Sequence, residues 1–109
     1  MVFFINSDKV IFPGVGEASS AMLKLKQTGL DKLIPQLKQP VLGICLGMQA
    51  LLQSSEENNG IDCLGVFQGN AKFFGHKIKN EASERLKVPH MGWNQVHQAV
   101  DHPMWYAID

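Results

Sequence analysis

The chain has 109 residues, 45% of them hydrophobic and 18% charged, which excludes a disordered tail and bounds the molecule at one small domain. Ten Lys plus Arg balance ten Asp plus Glu, so the basic excess of a nucleic-acid binder is missing. The apolar start, Met1 to Ile5, is too short for a bilayer span and has no signal-peptide features. No membrane partner is expected, and a cytoplasmic setting with free thiols at Cys45 and Cys63 is.

In chain order, Lys9-Val10-Ile11-Phe12 is a short β-branched and aromatic run closed by Pro13-Gly14, which predicts a buried strand ending in a turn. Ala18, Ala21, Met22 and Leu25 follow at helical spacing, and Gly29 stands where such a helix would stop. Leu30, Leu33, Ile34 and Leu37 repeat the spacing, but Pro35 interrupts it and predicts a short or broken helix. Val41 to Cys45 is a second buried run, and Leu46 to Ser55 has helical character with Met48, Leu51 and Leu52 on one face. Between Leu64 and Phe74, two apolar stretches flank Gln68-Gly69-Asn70, a hairpin signal. His76 to Lys87 is polar, mixed in charge, and reads as an exposed loop. The whole predicts an open α/β domain with parallel early strands, flanking helices and a hairpin.

The chemistry centres on Gly43-Ile44-Cys45-Leu46-Gly47-Met48-Gln49. A cysteine ends a buried strand and opens a helix, with a glycine two positions before it and another two after. This is the cysteine form of the strand-to-helix elbow that exposes a nucleophile at the C-terminal edge of an α/β sheet. The elbow sets the sulfur beside a helix N-terminus and beside backbone N–H groups able to face an oxyanion. On spacing alone, a small apolar thiol on a core strand fits as well.

The full string resembles the nucleophile motif of class I glutamine amidotransferases. The resemblance implies that Cys45 attacks the side-chain amide of glutamine, that the Leu46 N–H lies in the oxyanion hole, and that Gln49 helps hold the substrate. It also assigns Glu57, in Ser54-Ser55-Glu56-Glu57, to the substrate's α-amino group. Pro13-Gly14-Val15-Gly16 alone would suit any strand-to-helix turn. Beside the cysteine motif it is similar to the family's oxyanion strand, with Gly14 and Val15 at the matching positions. No cofactor and no metal is implied.

Pro89-His90-Met91-Gly92-Trp93-Asn94 resembles a signature of the imidazole glycerol phosphate synthase branch of that family. Read physically, it is a turn displaying two large side chains, Met91 and Trp93, equally suited to an interface or to a core. The resemblance sets it, with Trp93 as a gating residue, against a (β/α)8-barrel cyclase partner that receives the ammonia in histidine biosynthesis. Cys63 reads as a packed core thiol, and none of His76, His90, His97 and His102 matches the family's catalytic histidine.

The match runs from about residue 9 to residue 108, within a partial amidotransferase domain spanning 1–109 with an incomplete flavodoxin-like sheet. By resemblance, a first βα unit precedes this segment, and the family's catalytic His and Glu follow Asp109. The chain is therefore expected to be truncated at both ends and not to turn over glutamine as it stands. The alternative is a catalytically dead α/β module that binds a partner or self-associates through exposed sheet edges.

Overall fold

The computed structural model describes residues 2–75 and 79–108, in two compact units, 1–73 and 74–109. The first unit carries the regular structure. A short helix α1 (Val2–Asn6) leads into strand β1 (Val10–Gly14), helix α2 (Ala18–Thr28) and helix α3 (Leu30–Leu33). The spacing of Ala18, Met22 and Leu25 puts all three on the buried face of α2. Gly29 ends α2 in the left-handed conformation (φ 73°), its N–H returning to the carbonyls of Leu25 and Lys26. Pro35 has the expected effect: α3 gives way to a 3-10 turn at Ile34–Gln36.

Strand β2 (Val41–Cys45) pairs with β1 in parallel, Val10 opposite Val41 through to Gly14 opposite Cys45. Alternation along the pair turns Val10, Phe12, Val41 and Gly43 inward and leaves Ile11, Leu42 and Ile44 exposed. A core of Met22, Leu25 and Ala50 lies against the inner face, with Phe12, Leu30, Ile34, Ile61, Cys63 and Leu64 packed around it. Parallel strands joined through helices place this unit in the expected α/β class.

Both strands were expected to be buried, but their outer faces are exposed, because the two-stranded sheet carries helices on one side only among the described residues. Two further elements differ from the sequence expectation. Helix α4 ends early, covering Leu46–Ala50 rather than continuing to Ser55. The following chain takes its carbonyls: Leu64, Phe67 and Gly65 donate to the carbonyls of Ala50, Leu51 and Leu52. The expected hairpin about Gln68-Gly69-Asn70 does not form there. Gly69 is held from both sides by Gln53, donating to its side-chain oxygen and accepting from its backbone N–H. The antiparallel pair is instead β3 (Ser54–Ser55) with β4 (Ile61–Asp62), and β5 (Asn70–Ala71) runs parallel to β3. A turn at Glu57–Asn59 joins β3 to β4.

The second unit has little regular structure. A bridge between Lys79 and Arg85 closes a turn in which Asn80 and Glu84 exchange backbone and side-chain bonds, as an exposed polar loop would. Residues 76–78 of that expected loop lie outside the described residues. A 3-10 turn at Pro103–Trp105 is capped by the His102 ring, which accepts the Met104 N–H. Among the described residues, no helix is long and apolar enough to cross a membrane.

Candidate active site

The parallel register brings two of the sequence motifs together. Because Gly14 stands opposite Cys45, Pro13-Gly14 and Ile44-Cys45 reach the same edge of the sheet side by side. Cys45 then turns the chain directly into α4 with φ 55° and ψ −119°. A side chain held in such a region costs about 1–3 kcal/mol and persists only where the surroundings over-determine it. Here the thiol is exposed while Leu46 and Gly47 behind it are buried. That is the geometry of a nucleophile elbow.

The flanking glycines allow the helix to close on the strands. A Cβ at Gly47 would land on the Phe12 carbonyl oxygen, and one at Gly43 would come within 3.0 Å of the Met48 Cα. Across the edge, the position of a Gly14 Cβ lies 3.0 Å from the Leu46 Cβ and 3.1 Å from the Gly47 nitrogen. The Gly14 backbone and the start of α4 are therefore neighbours. Leu46 and Gly47 open that helix, where the first N–H groups have no carbonyl in their own turn to bond.

Gln49 sits one turn beyond Cys45 on α4 and is half-buried. Glu57 lies in the turn after β3, and its carboxylate accepts the Ala18 N–H at 2.7 Å. It thereby caps α2, whose own N-cap residue, Glu17, makes no side-chain cap. Val15 and Gly16 lie between these points, Val15 94% exposed and Gly16 with open space around its missing side chain. Cys45, Gly14, Leu46 and Gln49 thus share one corner, and Glu57 meets the helix that the Gly14–Gly16 segment enters.

The other expected residues fall in the second unit. Met91 is 88% exposed and Trp93 fully so in this structure. His90 and Asn94 are exposed and joined by a 2.9 Å hydrogen bond. Pro89 follows a cis peptide bond after Val88. His97 and His102 are also in this unit, and His76 lies outside the described residues. Cys63 is half-buried against the core, with its thiol directed at the Ile61 carbonyl. Burial pushes that thiol up from its ordinary value, and the Asp62 and Glu57 carboxylates push the same way.

The motifs and their geometry meet in the comparison with known proteins, where the family model for glutamine amidotransferase class-I matches residues 5–108. The chain belongs to that family. The imidazole glycerol phosphate synthase subunit HisH of Pseudomonas syringae pv. syringae is 56% identical over 105 residues, covering 94% of this chain and 49% of that protein. The subunit of the same name from Acinetobacter baylyi is 50% identical over 110 residues, 95% of this chain and 49% of its own length. The one from Bacteroides fragilis is 56% identical over 90 residues, 83% and 43% respectively. The chain spans about half the length of the curated relatives it matches.

Sequence reasoning missed part of this amidotransferase corner. Asn58 adopts the left-handed conformation (φ 50°, ψ 49°), and its side-chain amide donates to the Glu17 carboxylate and to Ser19 Oγ, the latter at 2.9 Å. The signal available in the sequence was Asn58-Asn59-Gly60, three residues that tolerate left-handed backbone, directly after the acidic pair. Ser55, 2% exposed, accepts the Glu57 N–H at 3.3 Å and belongs to the same support.

Proposed function

We propose that this chain carries the nucleophile and oxyanion half of a glutaminase that feeds ammonia to an imidazole glycerol phosphate synthase in histidine biosynthesis. The observation that carries the reading is the register of Gly14 with Cys45, which sets a strained, exposed thiol beside a backbone segment fit to stabilise an oxyanion. The names and identities of the relatives support the branch.

In the proposed reaction, Cys45 Sγ attacks the side-chain carbonyl carbon of glutamine, and the C=O electron pair moves onto oxygen. Backbone N–H groups at Val15 and Leu46 receive that oxyanion, where each pre-set donor is worth about 10²–10³-fold. The intermediate collapses with loss of ammonia to a glutamyl thioester, and water then releases glutamate and the thiol. Gln49 orients the substrate and Glu57 receives its α-amino group. The proton transfers need an acid–base group, a role worth roughly 10²–10⁴-fold, which none of the residues named at this corner fills.

The exposed segment Pro89–Asn94 is proposed to meet a (β/α)8-barrel cyclase subunit, with Met91 and Trp93 as its apolar contacts. The two free cysteines suit a cytoplasmic setting.

The test is alkylation of the full-length protein by a glutamine-like chloroketone, read by intact mass and peptide mapping. The expected result is a single adduct on Cys45, formed saturably and suppressed by free glutamine. Labelling at Cys63 instead, or labelling indifferent to glutamine, overturns the assignment.

A further inference from the structure

The Gly14–Glu17 segment is held at its two ends and hardly between them. At one end Gly14 is fixed by its pairing with Cys45. In the middle, Val15 points into solvent, and Gly16 has φ +102° with nothing within 4 Å of the place where a Cβ would stand. Among the described residues, no packed side chain there sets the direction of the peptide groups. The other end is fixed by the turn at Glu57–Asn59. Glu57 takes the Ala18 N–H, and Asn58 reaches 41 residues back to Glu17 and 39 back to Ser19. Asn58 is suited to this because its left-handed backbone aims the amide at α2, and Asn tolerates that conformation better than most residues.

We propose that Asn58 is a positioning residue for the oxyanion segment, tying the Glu17 end of that segment to the turn that bears Glu57. The proposal rests on the glutaminase reading and adds to it a residue that never touches the substrate. A flexible Val15–Gly16 pair samples many peptide orientations. A donor misplaced by about 1 Å can forfeit on the order of 10²-fold in rate. Glu17 donates nothing to the reaction; its carboxylate serves as the near-side handle that Asn58 grips, as does the Ser19 hydroxyl. The same turn sets the Glu57 carboxylate, so one short element aligns the substrate-facing acid and the oxyanion donors together.

The experiment separates chemistry from binding and from thiol access in the full-length protein. Saturating alkylation by a glutamine-like chloroketone gives a limiting rate and a half-saturation concentration. In that step Cys45 sulfur bonds to the chloromethyl carbon and chloride leaves, with the ketone oxygen in the oxyanion site. Iodoacetamide, which needs no oxyanion donor, reports access to the thiol alone. Asn58→Gly keeps the left-handed backbone and deletes the amide. Its limiting chloroketone rate is expected to fall roughly tenfold, short of the ~10²–10³ lost with an outright donor. Half-saturation and the iodoacetamide rate should stay close to wild type.

Glu17→Ala breaks the bond to Glu17 but leaves the one to Ser19, so it should show a smaller loss in the same direction, and it serves if Asn58→Gly fails to fold. Glu17→Gln, which keeps an acceptor oxygen, should restore the fast rate. The double variant Asn58→Gly/Glu17→Ala should be no slower than Asn58→Gly alone, since that change already removes the bond to Glu17 along with the one to Ser19. Glutamine-protected wild-type labelling with unchanged limiting rates in both Asn58→Gly and Glu17→Ala would sink the proposal and leave the glutaminase reading standing. Equal slowing of chloroketone and iodoacetamide would also sink it, since that marks lost access. Wild-type labelling that neither saturates nor responds to glutamine would remove the reading and the proposal with it.

Discussion

Gly47 backs directly onto the carbonyl oxygen of Phe12, leaving no room for even a methyl group between α4 and β1. The contact is backbone against backbone, so neither partner can swing aside as a long side chain would. It sets how deeply α4 beds into the sheet, and hence where Leu46 and Cys45 stand relative to Gly14.

The first prediction follows. Gly47→Ala must push α4 off the strands and is expected to lose about 1–3 kcal/mol of stability or more. Gly16→Ala is the control. It meets no atom within 4 Å but has a positive φ, so only backbone strain opposes it, at about 1 kcal/mol. Urea unfolding of the two variants checks the order. Equal losses would show that the Phe12 contact yields easily.

The strain at Cys45 supports a second prediction. With φ 55° and ψ −119°, the position favours glycine, and the thiol is exposed, so little packing is lost with it. Cys45→Gly should therefore be more stable than Cys45→Ala by about 1 kcal/mol. Both variants should lose glutamine-protected labelling, as should Cys45→Ser, because serine without a tuned base is a poor nucleophile. Denaturant midpoints for the Gly and Ala variants, measured side by side, give the comparison. A less stable Gly variant would mean that the surroundings, and not the elbow conformation, dominate at this position.

The third prediction concerns pH. Burial and the carboxylates of Asp62 and Glu57 raise the Cys63 thiol above its ordinary value. Fewer thiolates form at a given pH, so the alkylation profile of Cys63 should be displaced to higher pH than that of a free thiol. The sign for stability follows: the folded state resists ionisation, so deprotonation on unfolding weakens the fold as pH rises through the ordinary thiol value. Glu57→Gln removes one of the opposing charges and should move the Cys63 profile back toward lower pH. Site-resolved iodoacetamide labelling between neutral and alkaline pH reads both effects. A Cys63 profile matching a free thiol would refute the account.

The parts of this structure legible in the sequence are those written in runs. Val10–Phe12 and Val41–Cys45 are strands, as their β-branched residues predict, although one face of each is exposed where burial was expected, and Gly29 and Pro35 punctuate the helices as their backbone chemistry requires. Gly43 and Gly47 announced the elbow because a close helix–strand approach leaves no other residue type. The two-residue strands Ser54–Ser55, Ile61–Asp62 and Asn70–Ala71 are too short to show a period-two pattern, and their pairing depends on distant carbonyls. The five-residue helix at Val2–Asn6 was not anticipated either. Asn58 escaped because its role depends on Glu17 and Ser19, some forty residues away, and no local pattern encodes that.

The last prediction concerns Trp93. Its side chain is fully exposed and Met91 nearly so, in a segment of low regular structure. An indole in water contributes nothing to holding the chain together, so Trp93→Ala should change thermal stability within about 0.5 kcal/mol, as surface substitutions do. Large exposed aromatics are nonetheless the residues that most often anchor an interface, with truncation costs of about 2 kcal/mol or more at such positions. If this segment meets the cyclase barrel as proposed, the loss appears only in the complex. Glutamate release and ammonia incorporated into product, measured together in the assembled synthase, separate the cases. The expected outcome is near-normal labelling of Cys45 by the chloroketone, with weakened assembly or with ammonia escaping to solvent instead of reaching product. Tight assembly and full coupling in the variant would remove Trp93 from the interface. A large drop in stability of the isolated chain would instead give its indole a packing role inside the amidotransferase.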